Sequence, residues 1–159
     1  MYSKENWDNY WSRPYSNYEK HQQWFWERAL PFVKGRVLDI GCGSASMWKG
    51  TDHDVTGFDY SDQAIQEAKK NCPKGKFFVG SVEEFDPGDT FDTVLSCGVV
   101  HYFLPDKLEL IRKAHVNPAK GRIIISLNTP ADLNLFRSWG NLVSASFQDR
   151  IGWLLVFDE

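Results

Sequence analysis

The sequence predicts an α/β fold: a three-layer sandwich in which a mostly parallel sheet carries helices on both faces. Three observations predict it. Apolar runs of strand length alternate with stretches of helical periodicity, the pattern of right-handed crossover units. The runs are apolar almost throughout, as strands covered on both faces must be. The first run ends on a Gly-rich turn and the second on an acid, so polar residues gather at strand carboxyl ends, where such sheets bind ligands.

The elements follow in order. Residues 2–18 are polar and aromatic without clean periodicity and read as loop with a short helix at most. His21 to Leu30 reads as a helix, with Trp24, Phe25, Ala29 and Leu30 on one face, closed by Pro31. Arg36 to Ile40 is the first strand and Asp54 to Asp59 the second. Only a short stretch separates Gly43 from Val55, so the first crossover helix is about two turns, or irregular. Ser61 caps the next helix, Asp62 favours its dipole, and Ala64, Ile65 and Ala68 form its apolar stripe. Lys76 to Val79, Phe91 to Ser96 and Arg122 to Leu127 are the third, fourth and fifth strands. Leu104, Leu108, Ile111 and His115 keep helical spacing between the last two. Beyond Leu127, Ala131 to Trp139 can supply a helix and Gly152 to Asp158 a final strand. Asn141 to Arg150 must then make both a strand and a connection, or the sheet is one strand short at its C-terminal end.

With 159 residues the chain is expected to form one domain with a core of its own. It divides into an aromatic N-terminal part (1–32), a ligand-binding core (33–127) and a minimal C-terminal part (128–159). A net charge of −3 argues against nucleic acid as a partner, since such binding needs a basic surface. The three cysteines, Cys42, Cys72 and Cys97, are odd in number and lack metal-ligand spacing. They point to a reducing, cytoplasmic setting, and no apolar stretch approaches a membrane span. One feature of the composition is unusual. Aromatic residues make up 15% of the chain, and they crowd the first 32 residues.

At the strand ends, Gly41-Cys42-Gly43 allows a tight turn and close approach of a ligand. A Gly-x-Gly pair alone equally suits a plain strand-to-helix turn. Asp39 lies within the otherwise apolar first strand, where a carboxylate is costly unless something cationic or hydrogen-bonding meets it. Asp59 ends the second strand, a place from which an acid can hold both hydroxyls of a ribose. It could also be a solvated turn residue before Ser61. Two carboxylates and a glycine turn together describe a ligand with a ribose and a positive group, and no need for a phosphate.

These segments resemble class I methyltransferases that use S-adenosylmethionine, which implies a Rossmann-like sandwich. Val37 to Gly43 is similar to that family's first motif, and Val55 to Ser61 to its second-strand motif. Phe78 to Glu83 resembles the adenine-contacting segment, Phe91 to Tyr102 the fourth-strand motif, and Asn117 to Arg122 the loop before the fifth strand. The five motifs occur in order. The resemblance implies S-adenosyl-L-methionine as cofactor, S-adenosyl-L-homocysteine as product, and a set of site residues. Asp39 would orient the amino end of the methionine moiety, with Gly41, Cys42 and Gly43 against it. Asp59 would hold the ribose. Tyr60 and Val82 would sandwich adenine, with Ser81 or Glu83 at its polar edge. Cys97, Gly98, Val99 and His101 would lie toward the methionine and sulfonium. The sequence departs from the family at Ser81, at Ala45 in place of a third glycine, and at Ala119.

Methyl transfer from a sulfonium is an in-line displacement that depends on alignment and exclusion of water. A base is needed only for a poor nucleophile such as a hydroxyl. His101 is the candidate for that role, or a structural side chain lining the cofactor. In many family members the N-terminal segment folds over the cofactor. Tyr10 or Trp11 would cover it here, with Tyr15 and Tyr18 lining the acceptor pocket, and an aromatic face would attract the sulfonium. The same rings could merely fill a gap against the sheet. Val99-Val100-His101-Tyr102 resembles small-molecule methyltransferases, so the expected partner is a small organic acceptor, bound by a monomer or homodimer. A binding protein of the same fold without turnover is the first alternative. A nicotinamide-dependent oxidoreductase is the second, disfavoured by Ser46 at the last glycine position and by Asp39 beside a would-be pyrophosphate.

Overall fold

The computed structural model describes residues 3–12, 16–84, 86, 88–99, 116–117, 120–127, 141–148 and 152–158. Its centre is a seven-stranded sheet. β1 (Arg36–Ile40), β2 (Asp54–Asp59), β3 (Lys76–Val79), β4 (Thr93–Ser96) and β5 (Arg122–Leu127) run parallel. β6 (Asn141–Gln148) and β7 (Gly152–Asp158) form a hairpin, with β7 antiparallel to β5. The order is β3-β2-β1-β4-β5-β7-β6. The chain therefore winds one way from β1 to β3 and the other way from β4 onward. Where it reverses, the carboxyl ends of β1 and β4 part and leave a crevice.

The central strands of the sheet are buried on both faces because they alternate between two apolar clusters, while the edge strands β3 and β6 are largely exposed. Val37, Leu95, Ile124, Leu154 and Val156 face one side; Leu38, Val94, Ile123, Leu155 and Phe157 face the other. On the first side lie α2 (Ser16–Ala29), through Phe25 and Ala29, and α3 (Asp62–Asn71), through Ile65 and Ala68. The expected helices Leu104 to His115 and Ala131 to Trp139 lie outside the described residues.

Most expected elements hold to the residue, but four differ. The aromatic N-terminus is helical: α1 (Lys4–Trp11) precedes α2, which starts at Ser16 and not at His21. Ser3 caps α1 by accepting from the Asn6 amide at 3.3 Å, so a local bond starts a helix that periodicity did not reveal. The first crossover is a single 3-10 turn, Ser46–Trp48. β4 begins at Thr93, since Phe91 makes only an isolated bridge to Val116. Finally, the sheet is not one strand short. An antiparallel return needs only a tight connection, so both C-terminal strands fit. Their register is fixed at one end by Arg122, whose Nε and Nη2 donate to the Asp158 carboxylate at 2.6 and 2.8 Å across the β5–β7 pair.

Candidate active site

β1 delivers Asp39 to the crevice with its side chain on the α2 side of the sheet. It is buried, and Trp48 Nε1 donates to its Oδ2 at 2.6 Å. Burial pushes this carboxyl up to about 7, the Trp48 bond opposes the rise, and the negative charge of Asp59 adds to it. No cation is paired with Asp39 among the described residues. Such a group is stabilised by a positive ligand, which is the chemistry its position suggested.

The turn after β1 is wound tightly. The amides of Gly41 and Cys42 both donate to the Phe58 carbonyl, at 2.9 and 3.0 Å. Gly41 and Gly43 are left-handed, at φ +67° and +53°. A Cβ on Gly41 would stand 2.5 Å from Val99 Cγ2, and one on Gly43 would stand 2.4 Å from Trp11 Cη2. Glycine is therefore required twice over, by backbone conformation and by close approach. Ala45, where the family has a third glycine, also takes a left-handed conformation, at φ +54°. Asp59 braces the turn from β2: its Oδ2 accepts from the Gly43 amide at 3.0 Å and its Oδ1 from the Ser61 amide at 2.9 Å. Burial raises this carboxyl too.

A small cleft opens here. Asp39, Gly41 and Cys42 line it from the end of β1, Leu95 and Cys97 from β4, and Trp11 and Trp26 from α1 and α2. Burial pushes the Cys42 and Cys97 thiols up, so both are inert linings at neutral pH. Trp11 is buried, and Tyr10 packs edge-on to it with ring centres 5.6 Å apart. α1 is held in place through α3. Asp8 accepts from the Ser61 hydroxyl and from the Gln63 amide, and Lys4 pairs with Asp62.

The structure thus gathers Trp11, Asp39, Gly41, Cys42 and Cys97 around one cleft, with Gly43 and Asp59 joined beside it and Val99 over Gly41. Tyr60, Ser81, Val82 and Glu83 do not line that cleft. Tyr60 is exposed beyond β2, and Val82 packs against the opposite apolar cluster. His101 and Tyr15 lie outside the described residues, as does the side chain of Tyr18. Sequence reasoning missed Trp48, Trp26 and Ser126. Ser126 Oγ receives the Gly98 amide at 2.6 Å, and its one sequence signal is a hydroxyl inside an isoleucine-rich strand. Nothing local marked Trp48 as the partner of Asp39. No group of residues able to hold a metal occurs among the described residues, and no helix among them is long and apolar enough to cross a membrane.

Residues 37–117, half of the chain, match the family model described as a methyltransferase domain. A tRNA U34 carboxymethyltransferase from Shewanella pealeana is 35% identical over 99 residues, covering 53% of this chain and 30% of that protein. A malonyl-[acyl-carrier protein] O-methyltransferase from Erwinia pyrifoliae is 26% identical over 157 residues, covering 93% of this chain and 60% of that one. The chain thus spans only part of the length of the curated relatives it matches. A TehB-like SAM-dependent methyltransferase from Corynebacterium glutamicum has the same fold, with a TM-score of 0.70 at 22% identity, covering 99% of this chain and 100% of that one. With its five ordered motifs, its strand order and this match, the chain belongs to the class I, S-adenosylmethionine-dependent methyltransferase family.

Proposed function

We propose that the protein transfers a methyl group from S-adenosylmethionine to a small organic acceptor. The observation that carries this reading is the pair of carboxylates at the strand ends, buried Asp39 and half-buried Asp59, flanking a left-handed glycine turn, with no cation on Asp39 among the described residues. The donor set fits a ligand with one cationic end and one diol. When bound, the cofactor supplies an electrophilic methyl group on a sulfonium.

The chain's residues then have distinct work. Asp59 has given one lone pair of each oxygen to a backbone amide, which fixes the carboxylate and leaves the others for two ribose hydroxyls. Asp39 faces the cationic amino-acid end. Gly41, Cys42 and Gly43 let the backbone approach it, and Cys97, Gly98 and Val99 close the site from β4. Tyr60 and Val82 flank the adenine, with Ser81 and Glu83 at its edge. Trp11, steadied by Tyr10, shuts the cleft against water and offers an aromatic face. His101 serves as base only where the acceptor is a hydroxyl or similarly weak nucleophile. The three free thiols suit a reducing compartment, the cytoplasm.

A second acceptor class has one observation in its favour: several relatives are named as tRNA U34 carboxymethyltransferases. Their match covers about half of this chain, and the acidic balance of −3 favours the small acceptor.

Calorimetry with S-adenosylmethionine and with NAD, followed by detection of S-adenosylhomocysteine formed with a panel of small amines, thiols, phenols and carboxylates, tests the reading. Micromolar binding of the first ligand alone, with turnover on one acceptor class, is expected. Tight NAD binding overturns it, and cofactor binding with turnover on tRNA alone overturns the small acceptor. Trp11→Ala with the fold intact should weaken cofactor binding; unchanged affinity and turnover would remove Trp11 from the site.

A further inference from the structure

The two edges of the sheet are protected differently. At one edge β3 is four residues long and starts on Lys76, and both short length and a lysine discourage pairing with another strand. At the other edge β6 runs for eight residues, Asn141–Gln148, with no charged residue and no proline. Among the described residues no strand pairs with its outer side. Its one irregularity is the register shift between Leu142 and Ser144, which leaves Ser144 to Gln148 in regular pairing.

The side chains of β6 divide by face. Leu142, Ala145 and Phe147 stand opposite Phe157, Leu155 and Trp153 of β7, so they share the face of that apolar cluster. They extend it to the rim of the sheet and are exposed there, Leu142 at 55% and Phe147 at 54%. Phe147 packs on Trp153 with ring centres 4.8 Å apart, which steadies the rim. An exposed apolar stripe beside unpaired backbone groups marks an interaction surface.

Charge decides what fits it. In an antiparallel pair about a two-fold axis, β6 faces β6 of the other copy, so any charge on the strand would meet its own sign. Eight residues without a charge remove that repulsion, and leave nothing to attract an acidic or basic segment instead. We propose that β6 pairs antiparallel with β6 of a second copy of this chain, joining two sheets into one and covering Leu142, Ala145 and Phe147 of both. β5 and β7 separate this edge from the crevice between β1 and β4, so the cleft of each copy stays open.

Sedimentation of the full chain tests this. The contact is narrow, so a dissociation constant on the order of 10 µM is expected, with twice the chain's mass well above that concentration. Ala145→Lys puts a charge on the exposed face of the strand and should weaken the dimer about tenfold or more. Its melting temperature at about 1 µM, where both proteins are monomers, should match wild type. Wild type that stays monomeric at about 300 µM overturns the proposal and leaves the edge to a peptide strand. A dimer that Ala145→Lys leaves intact also overturns it, by placing the interface elsewhere. Should Ala145→Lys fold poorly, hydrogen exchange of wild type decides: β6 amides should slow about tenfold between about 1 and about 300 µM, and rates independent of concentration overturn the proposal.

Discussion

Replacing Asp39 with asparagine should stabilise the ligand-free protein at alkaline pH and weaken its hold on the cofactor. The Asp39 carboxyl sits at about 7 in the folded protein against an ordinary 3.8, chiefly because it is buried. Between those values the folded state keeps a proton that the unfolded chain has released. The folded state then binds more protons, so stability falls as pH rises through this window and levels off above about 7. At about 1.4 kcal/mol for each pH unit, the window is worth about 4 kcal/mol. Asparagine keeps the shape and can still accept from Trp48 Nε1, but does not titrate. Urea unfolding should show the Asp39→Asn protein gaining on wild type by about 3 kcal/mol between pH 5 and pH 8. A cation reverses the preference by favouring the ionised carboxylate. S-adenosylhomocysteine should therefore bind wild type about tenfold more tightly at pH 8 than at pH 6, and the variant with no such gain. Parallel pH profiles for the two proteins, in stability and in binding, would refute this account of Asp39.

Three further expectations follow from contacts around the site and the sheet. Gly43→Ala must place a Cβ against the Trp11 ring on a left-handed backbone, costing about 1–2 kcal/mol before Trp11 moves; a lower melting temperature and red-shifted tryptophan emission are expected, and neither changing would contradict the packing. Asp8→Asn should loosen α1 from α3 by about 1 kcal/mol, read as faster hydrogen exchange of α1 amides. Because the Ser61 hydroxyl holds the Asp8 carboxyl below its ordinary value, wild-type docking should persist above about pH 4 and be lost as pH falls through that lowered value. Thr93→Val removes a buried hydroxyl that accepts from the Lys34 amide and donates to the Lys34 carbonyl; a loss of about 1–3 kcal/mol is expected, and an unchanged urea midpoint would show that water replaces it.

Where backbone rules are local, the sequence was readable. β1, β2, β3, β5 and α3 stand where apolar runs, Ser61 and the glycine turns placed them, because burial on both faces and a side-chain cap leave their mark within a few residues. Asp39, Asp59 and the Gly41–Gly43 turn were legible for the same reason: a carboxylate or a glycine at a strand end is anomalous by itself. α1 was not legible, since it is fixed by packing of Trp11 on Gly43 and by Asp8 on α3, contacts between residues more than thirty positions apart.

The sequence by itself therefore determined the parallel strands and the chemistry waiting at their carboxyl ends. Only the tertiary structure decided what surrounds that chemistry. It enclosed Asp39, which raises the carboxyl, and set Trp48 against it, which orients it; it brought Trp11 down on the glycine turn; and it buried Gln22 beside Gly98. Each of these is a pairing between separate elements. The energies that fix them come from burial and from hydrogen bonds in a low-dielectric interior, which exist only once the chain has closed around them.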